Sequence, residues 1–234
     1  MKNSWSKIWK WIKRVLLAFF LLSFLSTLLF RFIPVPVTPL MLIRCVEQVA
    51  EGKAPKLKKD WVPIKEISQN LVLSVIAAED QKFAEHFGFD FEAIEKAINK
   101  NEKLKKRGKP IKGGSTISQQ CAKNVFLFPQ RSYIRKAFEV YFTFLIELLW
   151  SKKRIMEVYL NVIEMGDGIY GAQAAAKTFY KKDAKQLSAA EAATIAAVLP
   201  NPRKWNAGKP NGFINKRKNW ILRQMGHLRG CIQL

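Results

Sequence analysis

The stretch "LVLSVIAAEDQKFAEHFGFD", residues 71–90, runs from an apolar segment into charged surface and puts two adjacent carboxylates, Glu79 and Asp80, at the junction. Residues 71–78 carry one hydroxyl, Ser74, among apolar side chains, which is the composition of a buried helix. Two readings of the junction stand side by side. A helix that surfaces ends in polar residues as a matter of course, with Asp80 and His86 capping it or hydrogen-bonding within the turn. A catalytic acid or base also belongs in such a place, because apolar walls disfavour the ionised carboxylate and raise its pKa. Phe83 and Phe87, four residues apart, are expected to pack on each other.

Outward from this segment, helical spacing dominates. Residues 40–50 and 68–79 read as helices, and a short helix fits 90–99. Residues 100–112 hold seven Lys or Arg and almost nothing to bury, so they read as a mobile loop. Gly113-Gly114 is a turn, after which "STISQQCAKNVF" opens a helix with Thr116 and Gln119 at capping-box spacing. Ser132 opens "SYIRKAFEVYFTFLIELLW", where Ile134, Phe138, Tyr141, Leu145 and Leu148 recur at helical intervals. Its Arg135, Lys136, Glu139 and Glu147 mark it as a core helix and not a membrane span. Residues 152–163 form another helix, ended by "MGDGIYG"; "SAAE" at 188–191 is a second capping box before an Ala-rich helix that "LPNPRKWN" breaks; 213–228 is a last, basic helix. There is no internal repeat and no alternating strand pattern, so the expected class is mainly α.

The chain has 234 residues, 49% of them hydrophobic, enough for one sizeable domain plus an attachment. Its 40 basic and 18 acidic residues give +22, a field that attracts nucleic acid, anionic lipid or phosphorylated substrates without choosing among them. The N-terminus narrows the choice. Residues 15–30 are apolar apart from Ser23, Ser26 and Thr27, and extended to Ile33 they span roughly 28 Å as a helix, close to a hydrocarbon core of about 30 Å. No small-x-small cleavage site follows, which favours an uncleaved anchor over a signal peptide. Lys2, Lys7, Lys10, Lys13 and Arg14 precede the run and hold the N-terminus in the cytoplasm; Trp5, Trp9 and Trp11 suit the interface, and Arg31 can snorkel. The expected division is a cytoplasmic end at 1–14, an anchor at 15–33, a linker and membrane-proximal segment at 34–59 led by the stiff "PVPVTP", and a catalytic domain at 60–234. Cys45, Cys121 and Cys231 have neither the count nor the spacing of a disulfide framework or zinc site; they read as buried apolar filler, with a Cys45–Cys121 bridge the alternative outside the cytoplasm.

Further polar groups have both plain and functional readings. Gly113-Gly114-Ser115-Thr116 before a helix lets backbone N–H groups approach an anion, with Lys112 and Lys123 adding charge, although Gly-Gly is also an ordinary turn and the Walker order is absent. Arg131, Arg135, Lys136 and Glu139 pair a carboxylate with cations, as an exposed ion pair does and as a pyrophosphate site with a divalent cation does. Arg154, Glu157 and Asn161 share a helical face, by default the wet side of the helix. Lys216, Arg217 and Lys218 form a last basic cluster.

In their order along the chain, EDQKFAEH, GGSTISQQ, RKAFE and KKRIMEVYLN resemble the peptidoglycan glycosyltransferases of the family 51 type, over about residues 60–230. The chain then stops without room for a transpeptidase domain, so the resemblance is to the monofunctional members. It implies a lysozyme-like, mainly helical fold with a small jaw subdomain near the membrane. It implies polymerisation of lipid II by inverting transfer of the growing strand from undecaprenyl pyrophosphate to a GlcNAc 4-hydroxyl. By position, Glu79 matches the catalytic base and Glu139 the second essential carboxylate, a candidate ligand for Mg²⁺ or Mn²⁺. Lys123 and Arg131 match pyrophosphate-side cations, with Arg135 and Lys136 beside them. Gly114, Ser115, Thr116, Gln119 and Gln120 line the groove; Asp80, Phe83 and His86 shape the first motif; Glu157, Asn161 and, over a shorter match, Arg217 complete the substrate-binding set. Ser118 and Cys121 depart from the family's usual Thr and aliphatic residue. The implied partners are lipid II, the glycan strand, the membrane and cell-wall synthesis or division proteins, with no nucleic acid. The implied setting is the bacterial inner (cytoplasmic) membrane, crossed once, with a periplasmic catalytic domain. The 90–112 stretch is expected to dip toward lipid.

Overall fold

Ser23, Ser26 and Thr27, the polar residues of the N-terminal apolar run, turn their hydroxyls back onto their own helix. Ser23 donates to the Phe20 carbonyl at 3.0 Å, and Ser26 and Thr27 both donate to that of Ser23, at 3.0 and 2.7 Å. Their polarity is satisfied internally, which an apolar medium requires. They lie on α1 (Lys2–Phe32), and its Trp5–Phe32 portion is long and apolar enough to cross a membrane. The computed structural model describes residues 2–105, 113–130 and 132–230; Lys112, Arg131 and Cys231 lie outside the described residues. The chain divides into two compact units, one ending at Pro34 and the other beginning at Val35.

In the second unit the order is α2 (Pro39–Ala50), β1 (Lys58–Lys59), a 3₁₀ turn (Ile64–Glu66), α3 (Gln69–Glu79), α4 (Phe91–Lys105), α5 (Ile117–Phe126), α6 (Tyr133–Leu149), α7 (Lys152–Val162), β2 (Glu164–Gly166), β3 (Ile169–Tyr170), α8 (Ala172–Tyr180), a second 3₁₀ turn (Ala184–Gln186), α9 (Ala189–Val198) and α10 (Gly212–Leu228). The run at 71–77 is buried on every side, as its lack of a polar face requires. Around it α3, α9 and α10 pack on one another. The small side chains of α9, Ala192, Ala193, Ala196 and Ala197, are all fully buried and let the three helices approach closely. A second group packs α5 against α6 and α7, with Ile117, Cys121, Ile146, Ile155 and Met156 inside. Both capping boxes form, Thr116–Gln119 and Ser188–Glu191, and Ser132 and Ser151 cap α6 and α7.

The structure departs from the sequence reading in several places. Residues 100–105, expected in a mobile loop, continue α4 as helix; α4 buries little, and Glu92 bridging to Lys96 and Lys82 supports it instead. "MGDGIYG" is not merely a helix end. It forms the β2–β3 hairpin, to which β1 adds in parallel, Lys58 opposite Ile169. Gly168 turns this hairpin at φ 69°, where a Cβ would stand 2.5 Å from the Lys56 carbonyl oxygen. Phe83 and Phe87 do not pair: Phe83 is fully buried and meets His86 edge-on, whereas Phe87 is half exposed against Phe144. Cys45 and Cys121 are both free thiols, and Cys121 is fully buried.

The largest surprise is the face of α7. Asn161 is fully buried, and its amide forms a two-way clamp on Val62, accepting from the backbone N–H at 3.0 Å and donating to the carbonyl at 2.9 Å. Glu157 accepts from the Ile64 N–H at 2.8 Å and pairs with Arg154, whose guanidinium lies over Trp61. What reads as a wet stripe is the seam that fastens the 61–64 segment to the core. Asn161→Ala leaves the part-buried N–H and C=O of Val62 without their side-chain partner, so we expect a loss of about 2–3 kcal/mol, read in thermal unfolding of the full chain in detergent as a Tm lower by roughly 5–10 °C. An unchanged Tm would show that the clamp contributes nothing.

Candidate active site

Glu79 is the last residue of α3, and Asp80 caps it with its N–H bonded to the Ile76 carbonyl. The two neighbours face different ways. Asp80 points inward and is spent on structure: its carboxylate accepts from the Ile117 N–H at the start of α5 at 2.9 Å and lies 3.0–3.1 Å from His86 Nε2. A carboxylate at a helix N-terminus is favourable, and here it also fastens the loop that carries His86. Glu79 keeps 16% of its side chain exposed and lines a cleft of about 310 Å³ together with Lys82, Glu92, Lys96 and the 113–116 turn.

Three groups from two helices act on the Glu79 carboxylate. Gln120 Nε2 of α5 donates to it at 2.9 Å, Arg217 Nη2 of α10 stands 3.5 Å away, and Lys123 adds a longer-range attraction. Burial nevertheless dominates and raises its pKa above the usual carboxylate value, while Gln120, Arg217 and Lys123 pull the other way. The Gln120 amide is itself oriented: its oxygen accepts from Tyr159 OH at 3.2 Å, which leaves the NH₂ for Glu79. Burial pushes the Tyr159 phenol well above its ordinary range, so it remains a donor.

Lys123 links the two carboxylates. Burial lowers its ammonium pKa, and both Glu139 and Glu79 act to raise it. Glu139, on α6, is 3% exposed and pairs with Arg135 at 2.7 Å and with Lys136. Lys136 also lines a recess of about 290 Å³ with Ile94, Ile98 and Gln119. That recess shares Gly114 and Ser115 with the Glu79 cleft, so the turn at 113–116 joins the two hollows. Gly114 passes close to α4, where a Cβ would lie 3.1 Å from that of Ala97. The donor set does not fit a protein-held cation. Both Glu139 oxygens are taken by Arg135 and Lys136, and no cluster of three His, Cys, Asp or Glu gathers among the described residues.

Several residues of the sequence-derived set spend their polar groups on structure. Thr116 and Gln119 cap each other, and the Thr116 hydroxyl donates to the Gly88 carbonyl. Phe83 plugs the core, with the Lys152 ammonium 4.7 Å from its ring centroid. Glu157 and Asn161 belong to the seam described above. Sequence reasoning missed Tyr159 and a second buried network, in which Glu147 accepts from Ser118 and Lys152 while Lys152 also donates to the His86 carbonyl. One signal for it existed: Glu139, Thr143 and Glu147 recur at four-residue intervals, a polar stripe on an otherwise apolar helix.

Comparison with known proteins points to one family. A family model described as transglycosylase matches residues 46–226. A biosynthetic peptidoglycan transglycosylase of Bacteroides thetaiotaomicron is 56% identical over 94% of this chain and 87% of its own length. Proteins of the same description from Bdellovibrio bacteriovorus and Pseudomonas syringae pv. syringae are 49% and 51% identical, over 96% and 94% of this chain. With Glu79, Gln120 and Lys123 inside the matched region and relatives covering nearly its whole length, the chain belongs to the transglycosylase family.

Proposed function

We propose that this transglycosylase polymerises peptidoglycan strands from lipid II at the Glu79 cleft. The observation that carries the reading is a carboxylate of raised pKa at the wall of a cleft, with a half-buried lysine attracted both to it and to a second, cation-paired carboxylate. The acceptor's 4-hydroxyl is a poor nucleophile until a base takes its proton. Glu79 accepts that proton as the new bond forms, and Arg217 and Gln120 hold its carboxylate in the ionised form needed before attack. Attack opposite the leaving group inverts the anomeric centre and gives a β-1,4 link. The departing undecaprenyl pyrophosphate gathers negative charge, which Lys123, Arg135 and Lys136 offset, with Arg131 in the role the resemblance gives it. No protein nucleophile takes part, and no step is assigned to a divalent cation. The reading covers glycan polymerisation alone.

Both substrates carry polyprenyl tails, which favours a catalytic unit tied to the bilayer. The same reading has α1 as a single-pass anchor in the inner membrane, its basic N-terminal flank cytoplasmic and the catalytic unit periplasmic. Exposed large apolar side chains on α4 and α6, including Phe91, Ile98, Ile134, Phe144 and Leu148, suit contact with lipid and a membrane-proximal jaw beside a lysozyme-like lobe.

Glu79→Gln is expected to lower lipid II polymerisation by at least about 10²–10³-fold with an unchanged circular dichroism spectrum; normal turnover would overturn the assignment. In the wild type the rate is expected to fall as pH drops through the Glu79 pKa, on an acid limb centred above the ordinary carboxylate value of 4.5; a rate level down to that value would show that this carboxylate is not the base. Tyr159→Phe frees the Gln120 amide to rotate, so kcat is expected to drop about tenfold with little change in KM. An unaltered kcat would show that the tyrosine is only core filling.

A further inference from the structure

A second cleft, of about 530 Å³, lies outside the site described so far. Its walls come from the β2–β3 hairpin, the C-terminal part of α8 and the 202–209 loop, and Lys56, Arg203, Lys204, Lys209, Asp167 and Trp205 line it. Among the described residues Lys56 pairs with Asp167 at 3.1 Å, and no carboxylate comes within ion-pair reach of Arg203, Lys204 or Lys209. Three exposed cations without an ion pair therefore line one concavity, with Arg203 attracted only at longer range by Glu51 and Glu164.

The concavity is preformed. Tyr180 OH donates to the Ala207 carbonyl at 3.1 Å, and the Asn206 side chain accepts from the Gly208 N–H at 2.8 Å. The Lys204 and Trp205 N–H groups both bond the Asn201 carbonyl. Gly166 lets the hairpin meet α8; a Cβ there would sit 2.8 Å from the Phe179 ring. Trp205 is half exposed and braced by Phe213, with ring centroids 5.2 Å apart.

Pro202 connects this cleft to the catalytic region. It also lines a recess of about 140 Å³ whose other walls include Gln120, Lys123 and Tyr159, the residues around Glu79. A chain leaving the Lys123 side along this surface reaches the basic cleft next.

We propose that the cleft holds the carboxylate-bearing peptide branches of the strand being made, with Trp205 against a sugar face and Arg203, Lys204 and Lys209 on the carboxylates. This rests on the functional reading above and extends it. Each added disaccharide brings one pentapeptide with a free carboxylate, which an aromatic face beside three unpaired cations suits. A strand held there after each transfer stays with the enzyme, so the cleft favours continued elongation over release.

The test uses the full chain in detergent and purified, lipid-free, uncrosslinked strands, either carrying their peptides or stripped of them by an amidase. The wild type is expected to bind peptide-bearing strands, and combined Arg203→Ala, Lys204→Ala and Lys209→Ala to weaken that binding by at least about tenfold at low salt, with the difference shrinking as salt is added. Stripped strands are expected to bind both proteins alike. A charge-matched control, combined Lys65→Ala, Lys153→Ala and Lys185→Ala, is expected to bind as the wild type does. Equal binding of peptide-bearing strands by the wild type and the first variant overturns the proposal, as does an equal loss with stripped strands or a loss seen only with anionic phosphatidylglycerol vesicles. Binding is read without turnover, so a wild type that binds strands yet fails to polymerise lipid II contradicts the functional reading and not this one.

Discussion

The site depends on one carboxylate kept at the end of an apolar helix. Glu79 is the last residue of α3, where the helix dipole disfavours negative charge and the buried flanks withhold water. Burial alone would push such a group further toward the protonated form, which can take no proton. Gln120 and Arg217 oppose that tendency from two other helices, and Lys123 does so from farther off. The result is a carboxylate that gives up ionisation easily, which the proposed role of a base in the transition state requires. The placing of α5 and α10 beside the end of α3 is thus also the tuning of the acid, because α5 brings Gln120 and Lys123 and α10 brings Arg217.

Asp80 and Glu79 divide two tasks that a single residue could not combine. Asp80 joins α5 to the 80–88 loop through its carboxylate, while the Glu79 carboxylate is left to the cleft whose wall both residues share. Behind them the Glu147–Lys152 pair bonds the His86 carbonyl and braces the same loop from below. A pair so buried is costly unless every partner is satisfied, and here Ser118, the His86 carbonyl and the face of Phe83 fill the remaining positions.

Most helices could be read from the sequence because apolar spacing and side-chain caps agreed, as at Thr116, Ser132 and Ser188. The elements that escaped lack such signals. The strands are two or three residues long, too short for alternation to show. Helix α8 has Gly171 as its N-cap, at φ 83° and with no side-chain cap bond, so nothing announces its start. The end of α4 buries almost nothing, and its lysines read as solvated loop. At the site, the plain reading of the 79–80 junction describes Asp80, while Glu79 stands at the cleft wall with a raised pKa, which is what the proposed catalytic role uses. Periodicity could not separate them, since the separation depends on which carboxylate α5 captures. Tyr159 was hidden for the same reason: its partner Gln120 is 39 residues away in sequence.

The most direct test is difference infrared titration of the Glu79 carboxyl band in the full chain, identified by its loss in Glu79→Gln. The account predicts protonation centred above the ordinary carboxylate value of 4.5, moving further up when Arg217 is replaced by Ala. A midpoint at or below 4.5 that ignores Arg217 would contradict it.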